Sequence, residues 1–126
     1  MNTIISATLL LTMLTILPVK ADGIIAVLKN PSSVERRDAK TGAYKGSLSV
    51  SKAIGVGCDG ETIAVLLASG SVARYHAGTG AYQGTIQMSG KPTAVQVSGG
   101  MIVVTTERSW VRYNAKTGAY LGSSSR

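Results

Sequence analysis

The tetrapeptide Thr-Gly-Ala-Tyr occurs three times in this chain, as Thr41-Gly42-Ala43-Tyr44, Thr79-Gly80-Ala81-Tyr82 and Thr117-Gly118-Ala119-Tyr120, and both intervals are 38 residues. The same register aligns Arg36, Arg74 and Arg112; Asp38, His76 and Asn114; Ala39, Ala77 and Ala115; and Gly46, Gly84 and Gly122. Upstream, Ile25-Ala26-Val27-Leu28 matches Ile63-Ala64-Val65-Leu66, and Ile102-Val103-Val104 follows after a slip of one residue. Such a repeat constrains the fold strongly, because each copy must be one supersecondary unit that buries its apolar face against the next.

Within the unit the patterning is that of strands. Residues 63–67 form a continuous apolar run, as expected of a strand covered on both faces. Residues 72–76 alternate in chemistry, with Arg74 and His76 on one side and Ala73 and Tyr75 on the other. Residues 77–80 read as a turn, and a further strand resumes over residues 82–88. Residues 52–58 alternate as well, placing Ile54, Val56 and Cys58 on one face, and Asp59-Gly60 follows as a tight hairpin turn. Four short antiparallel strands thus fit into 38 residues. In the turns, Asp38 and Asn114 stand where a side-chain oxygen accepts backbone N–H groups. Gly42, Gly80 and Gly118 are expected to take the left-handed conformation that closes the loop. His76 replaces the Asx residue in the middle copy and reads as a turn or surface residue.

Composition narrows the functions open to such an array. The chain has 126 residues, room for one domain, with a net charge of +7 and 44% apolar residues. That is too apolar and too weakly charged for a disordered chain. A single cysteine, Cys58, excludes an intramolecular disulfide framework and a cysteine-only zinc site, and a single histidine, His76, excludes multi-histidine metal ligation. Cys58 alternates with Ile54 and Val56, so it reads as a small buried apolar residue. No cofactor or metal is expected.

The N-terminus has a different character. Residues 4–17 are uncharged and apolar, short of the roughly 20 residues that span a bilayer as a helix. Pro18 ends the run, and Val19-Lys20-Ala21 has the form of a small-residue cleavage site. Residues 1–21 are therefore expected to be a cleaved signal peptide, giving a secreted or periplasmic protein with no membrane span after cleavage. An uncleaved signal anchor is one alternative. Another makes residues 15–21 a strand, since Leu17-Pro-Val-Lys-Ala-Asp22-Gly23 resembles Ile54-Gly-Val-Gly-Cys-Asp59-Gly60.

Four strands in each repeat of about 40 residues is the sequence signature of a β-propeller blade. The stretch Val34-Glu-Arg-Arg-Asp-Ala-Lys-Thr-Gly-Ala-Tyr-Lys-Gly-Ser-Leu48 and its counterpart Val111-Arg-Tyr-Asn-Ala-Lys-Thr-Gly-Ala-Tyr-Leu-Gly-Ser123 resemble the outer two strands of NHL-like propeller blades. More distantly they resemble the Asp-Ala-x-Thr-Gly turn of quinoprotein-type propellers. Quinoprotein blades usually carry a Trp where this chain has Gly46, Gly84 and Gly122, which favours the NHL-like side. The resemblance implies an all-β partial propeller over residues 22–126, with blade 1 at about 22–50, blade 2 at about 51–88 and blade 3 at about 89–126. Blade 1 is expected to be three- or four-stranded.

Three blades are fewer than the four to eight or so of closed propellers. Dimerisation to six blades is the favoured completion, and a partner chain supplying blades is the other. No catalytic residue carries over from either propeller family, so the chain is expected not to be an enzyme. It reads as an exported binding scaffold for a protein or glycan partner. Half of a split propeller enzyme, lyase- or quinoprotein-like, and a truncated fragment without its own activity are the alternatives. The residues singled out for ligand binding are the arc of Arg36, Arg74 and Arg112, suited to an anionic partner, and the arc of Tyr44, Tyr82 and Tyr120, suited to sugars. The competing structural roles are solvent-facing or acid-paired arginines and tyrosines packed between blades. Nucleic acid is not expected, because aromatics do not interleave with the basic residues as a stacking platform requires.

Overall fold

The computed structural model describes residues 23–88 and 90–126; the expected signal peptide and the alternative strand over residues 15–21 lie outside the described residues. Among the described residues, eleven strands form three antiparallel sheets. The first sheet contains β1 (Ile24–Asn30), β2 (Ser33–Asp38) and β3 (Tyr44–Ser49). The second contains β4 (Ala53–Cys58), β5 (Thr62–Leu67), β6 (Ser71–His76) and β7 (Tyr82–Gln87). The third contains β8 (Pro92–Ser98), β9 (Met101–Thr106), β10 (Ser109–Asn114) and β11 (Tyr120–Ser125). In each sheet the strands lie in sequence order, so every connection inside a blade is a hairpin. No helix occurs among the described residues.

The repeated turn motif folds for local reasons. Asp38 Oδ1 accepts the backbone N–H groups of Lys40 and Thr41 at 2.8 and 3.0 Å, and Asn114 Oδ1 does the same for Lys116 and Thr117 at 2.9 and 3.0 Å. In the middle copy His76 Nδ1 takes this role, accepting from Thr79 N at 3.2 Å. The threonine hydroxyls of residues 41, 79 and 117 each accept the amide two positions on, at 3.2 Å. Gly42, Gly80 and Gly118 have φ of +78, +80 and +80°, and each donates its N–H to the residue four back. An L side chain fits that φ poorly, which accounts for glycine in every copy.

Packing between blades produces two apolar layers. Val34 and Leu48 of blade 1 meet Ile63, Val65 and Ala73 of blade 2. On the other face of the same β5 strand, Ala64 and Leu66, with Val72 and Ile86, meet Val95, Val97, Ile102, Val104 and Tyr113 of blade 3. Because β5 feeds both layers, its apolar residues run without a break. The inner strand β4 lies against both β1 and β8, so the blades fan around their first strands.

Blade-2 alternation departs from expectation at one place. A register shift between Ala53 and Gly55 leaves Ile54 as an extra residue, 55% exposed, while Ala53 is 3% exposed and packs with Val56 and Cys58. Ile54 therefore does not share their face. The cause is a β-bulge, which inverts the side-chain alternation across it.

Candidate functional site

Three arginines at one repeat position organise the seams between blades. Arg36 on β2 stands directly opposite Gly46 on β3, Arg74 on β6 opposite Gly84 on β7, and Arg112 on β10 opposite Gly122 on β11. Each guanidinium lies over its glycine: a Cβ at Gly46 would fall 2.6 Å from Arg36 Nη2, one at Gly84 2.8 Å from Arg74 Nη2, and one at Gly122 would collide with Arg112 Nη2. Only glycine leaves this passage open. From there Arg36 reaches into blade 2, donating Nη1 to the carbonyls of Ala77 and Gly78 at 3.0 and 3.3 Å, with Nη2 held by Lys45 O at 2.9 Å. Arg74 repeats the span into blade 3, donating Nη1 to Ala115 O and Lys116 O at 3.2 and 3.1 Å and Nη2 to Gln83 O at 2.7 Å. The planar fork suits this division of donors in a way an ammonium would not.

Two arginines of the recurrent arc thus have contacts inside the seams. Among the described residues neither Arg36 nor Arg74 pairs with an acid; their Nη donors are engaged by backbone carbonyls, Arg74 is only 7% exposed, and Arg36 lines a small open pocket with Asp38 and Lys45. Their Nε atoms are buried without an acceptor. Arg112 differs: among the described residues its guanidinium has no hydrogen-bond partner beyond its place over Gly122.

Tyrosines 44, 82 and 120 do not pack between blades. They stand at the start of the outermost strands, 57, 61 and 62% exposed. Each rests on its own blade. Tyr82 meets the edge of Tyr75 at 5.6 Å between centroids, Tyr120 meets Tyr113 at 6.0 Å, and Arg37 lies 5.9 Å from the centre of the Tyr44 ring. Their hydroxyls pair with Ser47, Thr85 and Ser123, three residues on. Three aromatic rings thus repeat along one rim in fixed orientation.

Two further side-chain contacts cross the seams, at residues whose spacing in the sequence shows no partner. Asp59, in the β4–β5 turn, accepts Glu61 N and Thr62 N through Oδ1 and, across the seam, the blade-3 amide of Gly100 through Oδ2 at 3.0 Å. Burial pushes its carboxyl up, but hydrogen bonds from the amides of Thr62, Glu61 and Gly100 outweigh that and hold it below its ordinary value. The Cys58 thiol donates to Ile24 O of blade 1 at 3.1 Å, and burial raises it above its ordinary value. Beside the blade-2 turn, an open groove of about 470 Å³ is lined in part by Glu61, His76 and Lys116. Among the described residues no cluster of three or more His, Cys, Asp or Glu residues could hold a metal.

Antiparallel sheets of three or four strands fanned side by side, with apolar layers between successive faces, define a partial β-propeller, of three blades among the described residues. Solved structures agree on the fold. The chain superposes on BamB from Moraxella catarrhalis with a TM-score of 0.67 and 23% identity, covering 90% of this chain and 35% of that one. It superposes on the RRP9 WD40 repeats with a TM-score of 0.66 and 15% identity, covering 84% and 36%. Against the Kuenenia stuttgartiensis hydrazine synthase the TM-score is 0.60 and the identity 20%, covering 73% and 29%. The chain thus spans about a third of the length of these proteins, between 29 and 36%. No protein-family model matches the sequence, and no curated protein matches it either.

Proposed function

We propose that this chain is an exported, non-catalytic interaction module of NHL-like blades that binds a protein or glycan partner along its tyrosine rim. The observation that carries this reading is the repeated exposure of Tyr44, Tyr82 and Tyr120, at 57, 61 and 62%, in one structural position of each blade. A ring held by an edge contact with a neighbouring aromatic or by a guanidinium over its face, with its hydroxyl tied to a Ser or Thr, binds with little further ordering. Its open face offers apolar contact and its hydroxyl pair offers polar contact, the combination that makes tyrosine common in recognition surfaces. The NHL-like assignment is supported by Gly46, Gly84 and Gly122, which serve as passages for arginine where quinoprotein blades place Trp. The non-catalytic reading rests on the inner strands Ala53–Cys58 and Pro92–Ser98, which carry no His, Asp, Glu or Tyr. Export, to the periplasm or the medium, rests on the apolar run at residues 4–17 and the small-residue site ending at Ala21.

The test compares glycan-array and protein-array profiles of the wild type with those of a Tyr44→Ser, Tyr82→Ser, Tyr120→Ser triple variant. At least one partner is expected to lose about tenfold or more in affinity on the variant, a change of roughly 1.4 kcal/mol. The melting temperature should change little. Equal binding by both proteins would contradict the rim, and a wild type that binds nothing on either array would contradict the module.

A further inference from the structure

The arginine spans link blade 1 to blade 2 and blade 2 to blade 3, and each needs two complementary parts. The donor part is an arginine lying over a glycine, with an apolar residue two positions before it. The acceptor part is the turn of the next blade: two carbonyls after the Asx or His residue, and a turn glycine against which the guanidinium packs. Gly80 lies against Arg36, with a Cβ there 3.1 Å from Nε, and Gly118 lies against Arg74, at 3.0 Å.

One of each part is unmatched among the described residues. On the far face of blade 3, Arg112 lies over Gly122 like the others but reaches no acceptor. On the opposite face of the array, no donor reaches the carbonyls of Ala39 and Lys40, and nothing lies within 4 Å of where a Cβ at Gly42 would stand. The apolar positions show the same asymmetry. Ile25 and Val27 are 44 and 41% exposed, whereas their repeat counterparts Ile63 and Val65 are both 0% exposed. Trp110 is 43% exposed where its counterparts Val34 and Val72 are 0% exposed. The two faces therefore complement each other in donor, acceptor and apolar surface, through the same contacts that already join the blades.

We propose that a second copy of this chain docks head to tail on the far face of blade 3, with Arg112 of one copy donating to the Ala39 and Lys40 carbonyls of the other and its guanidinium packed against Gly42. Trp110 then meets the surface of Ile25 and Val27. Two copies that close both faces make six blades, inside the range of about four to eight seen in closed propellers. The docking face is less apolar than the internal seams, since Leu48 and Ile86 correspond to Ser124. Arg112 accordingly carries a larger share of the association than Arg36 or Arg74 carries of the internal seams. This assembly does not depend on what the tyrosine rim binds.

Sedimentation of the purified chain over a concentration series tests the proposal, using Arg112→Ala and Val27→Lys variants whose folding is checked by circular dichroism. Both positions lie outside the internal seams, so both variants should keep the wild-type spectrum. The wild type is expected to be a dimer, and each variant should raise the dimer dissociation constant about tenfold or more, the loss of one or two charge-assisted hydrogen bonds or the burial of a charge. An equimolar mixture of the two variants restores one intact interface, Arg112 of the Val27→Lys chain on the unaltered turn face of the Arg112→Ala chain, and should recover a one-to-one dimer. A wild type that stays monomeric at tens of micromolar would overturn the proposal. So would a dimer that both variants leave unchanged, or variants that fail to complement, because either result places the contact on another face.

Discussion

A glycine at a positive φ is usually explained by its backbone alone, but in this array the same conformation serves two kinds of position. Gly42 and Gly80 share a φ near +80°, at +78 and +80°, and the same turn hydrogen bonds. They differ in surroundings: Gly80 abuts Arg36, whereas Gly42 faces open space. Alanine at either site should cost about 1 kcal/mol or a little more in backbone strain. At Gly80 a further displacement of Arg36 is added, so Gly80→Ala is expected to be the more destabilising by about 1 kcal/mol or more. Denaturant unfolding of both variants in an Arg112→Ala background, where association does not mask the open seat, checks this. Equal losses would mean that the guanidinium does not press on the turn. The passage glycines carry a second constraint of the same kind, since Gly84 has a φ of +126° and a side chain there would meet Arg74.

At the scale of strands and turns, Asp59 joins the β4–β5 hairpin of blade 2 to the β8–β9 turn of blade 3 through the amide of Gly100. Its carboxyl is held below its ordinary value in the folded chain. A depressed folded pKa contributes stability above the unfolded pKa of about 4, and that contribution is lost as the pH falls through the folded value. Asp59→Ala should therefore be less stable than the wild type at pH 7, and the gap should narrow as the pH drops below about 4. Thermal melts of both proteins from pH 7 to pH 2.5 or so measure this; a gap independent of pH would show that the charged form is not what matters. Asp38, held low by hydrogen bonds from the amides of Thr41 and Lys40, adds to the same acid limb in both proteins.

Much of this level was legible in the sequence, and the reasons for the rest are physical. The period placed the blades, the continuous run at residues 63–67 marked a strand covered on both faces, and the Asx residues and turn glycines sit where their chemistry requires. The bulge that turns Ile54 outward left no periodic trace, because a single inserted residue breaks an alternation too short to show it. Recurrence of Arg36, Arg74 and Arg112 showed that the position mattered but not what it touched. A side chain with so long a reach has its partner in the next repeat, and a register says which residues are equivalent, not which are adjacent. The recurrent glycine opposite each arginine was the available clue, since a missing side chain beside a long one marks a passage. Likewise the tyrosines recur without being buried, because their own-blade neighbours Tyr75, Tyr113 and Arg37 already support them.

For the whole molecule, three blades hold together through two apolar layers, each crossed by one arginine, with Asp59 and Cys58 adding one contact to each seam. A repeat array of this kind has stability close to a sum of unit and interface terms, so damage at an internal seam is felt by the whole chain while damage at a terminal face is not. The three equivalent arginines make that distinction measurable with one substitution at two positions. The most direct test is the unfolding free energy of Arg74→Ala against that of Arg112→Ala, both measured in urea at a concentration where the chain is monomeric. Arg74→Ala should lose about 2 to 4 kcal/mol, because it leaves the carbonyls of Ala115, Lys116 and Gln83 without their donor inside a buried seam. Arg112→Ala should stay within about 0.5 kcal/mol of the wild type, since the Arg112 side chain has no hydrogen-bond partner among the described residues. Equal losses at the two positions, or no loss at Arg74, would contradict the account that arginine spans hold the blades together.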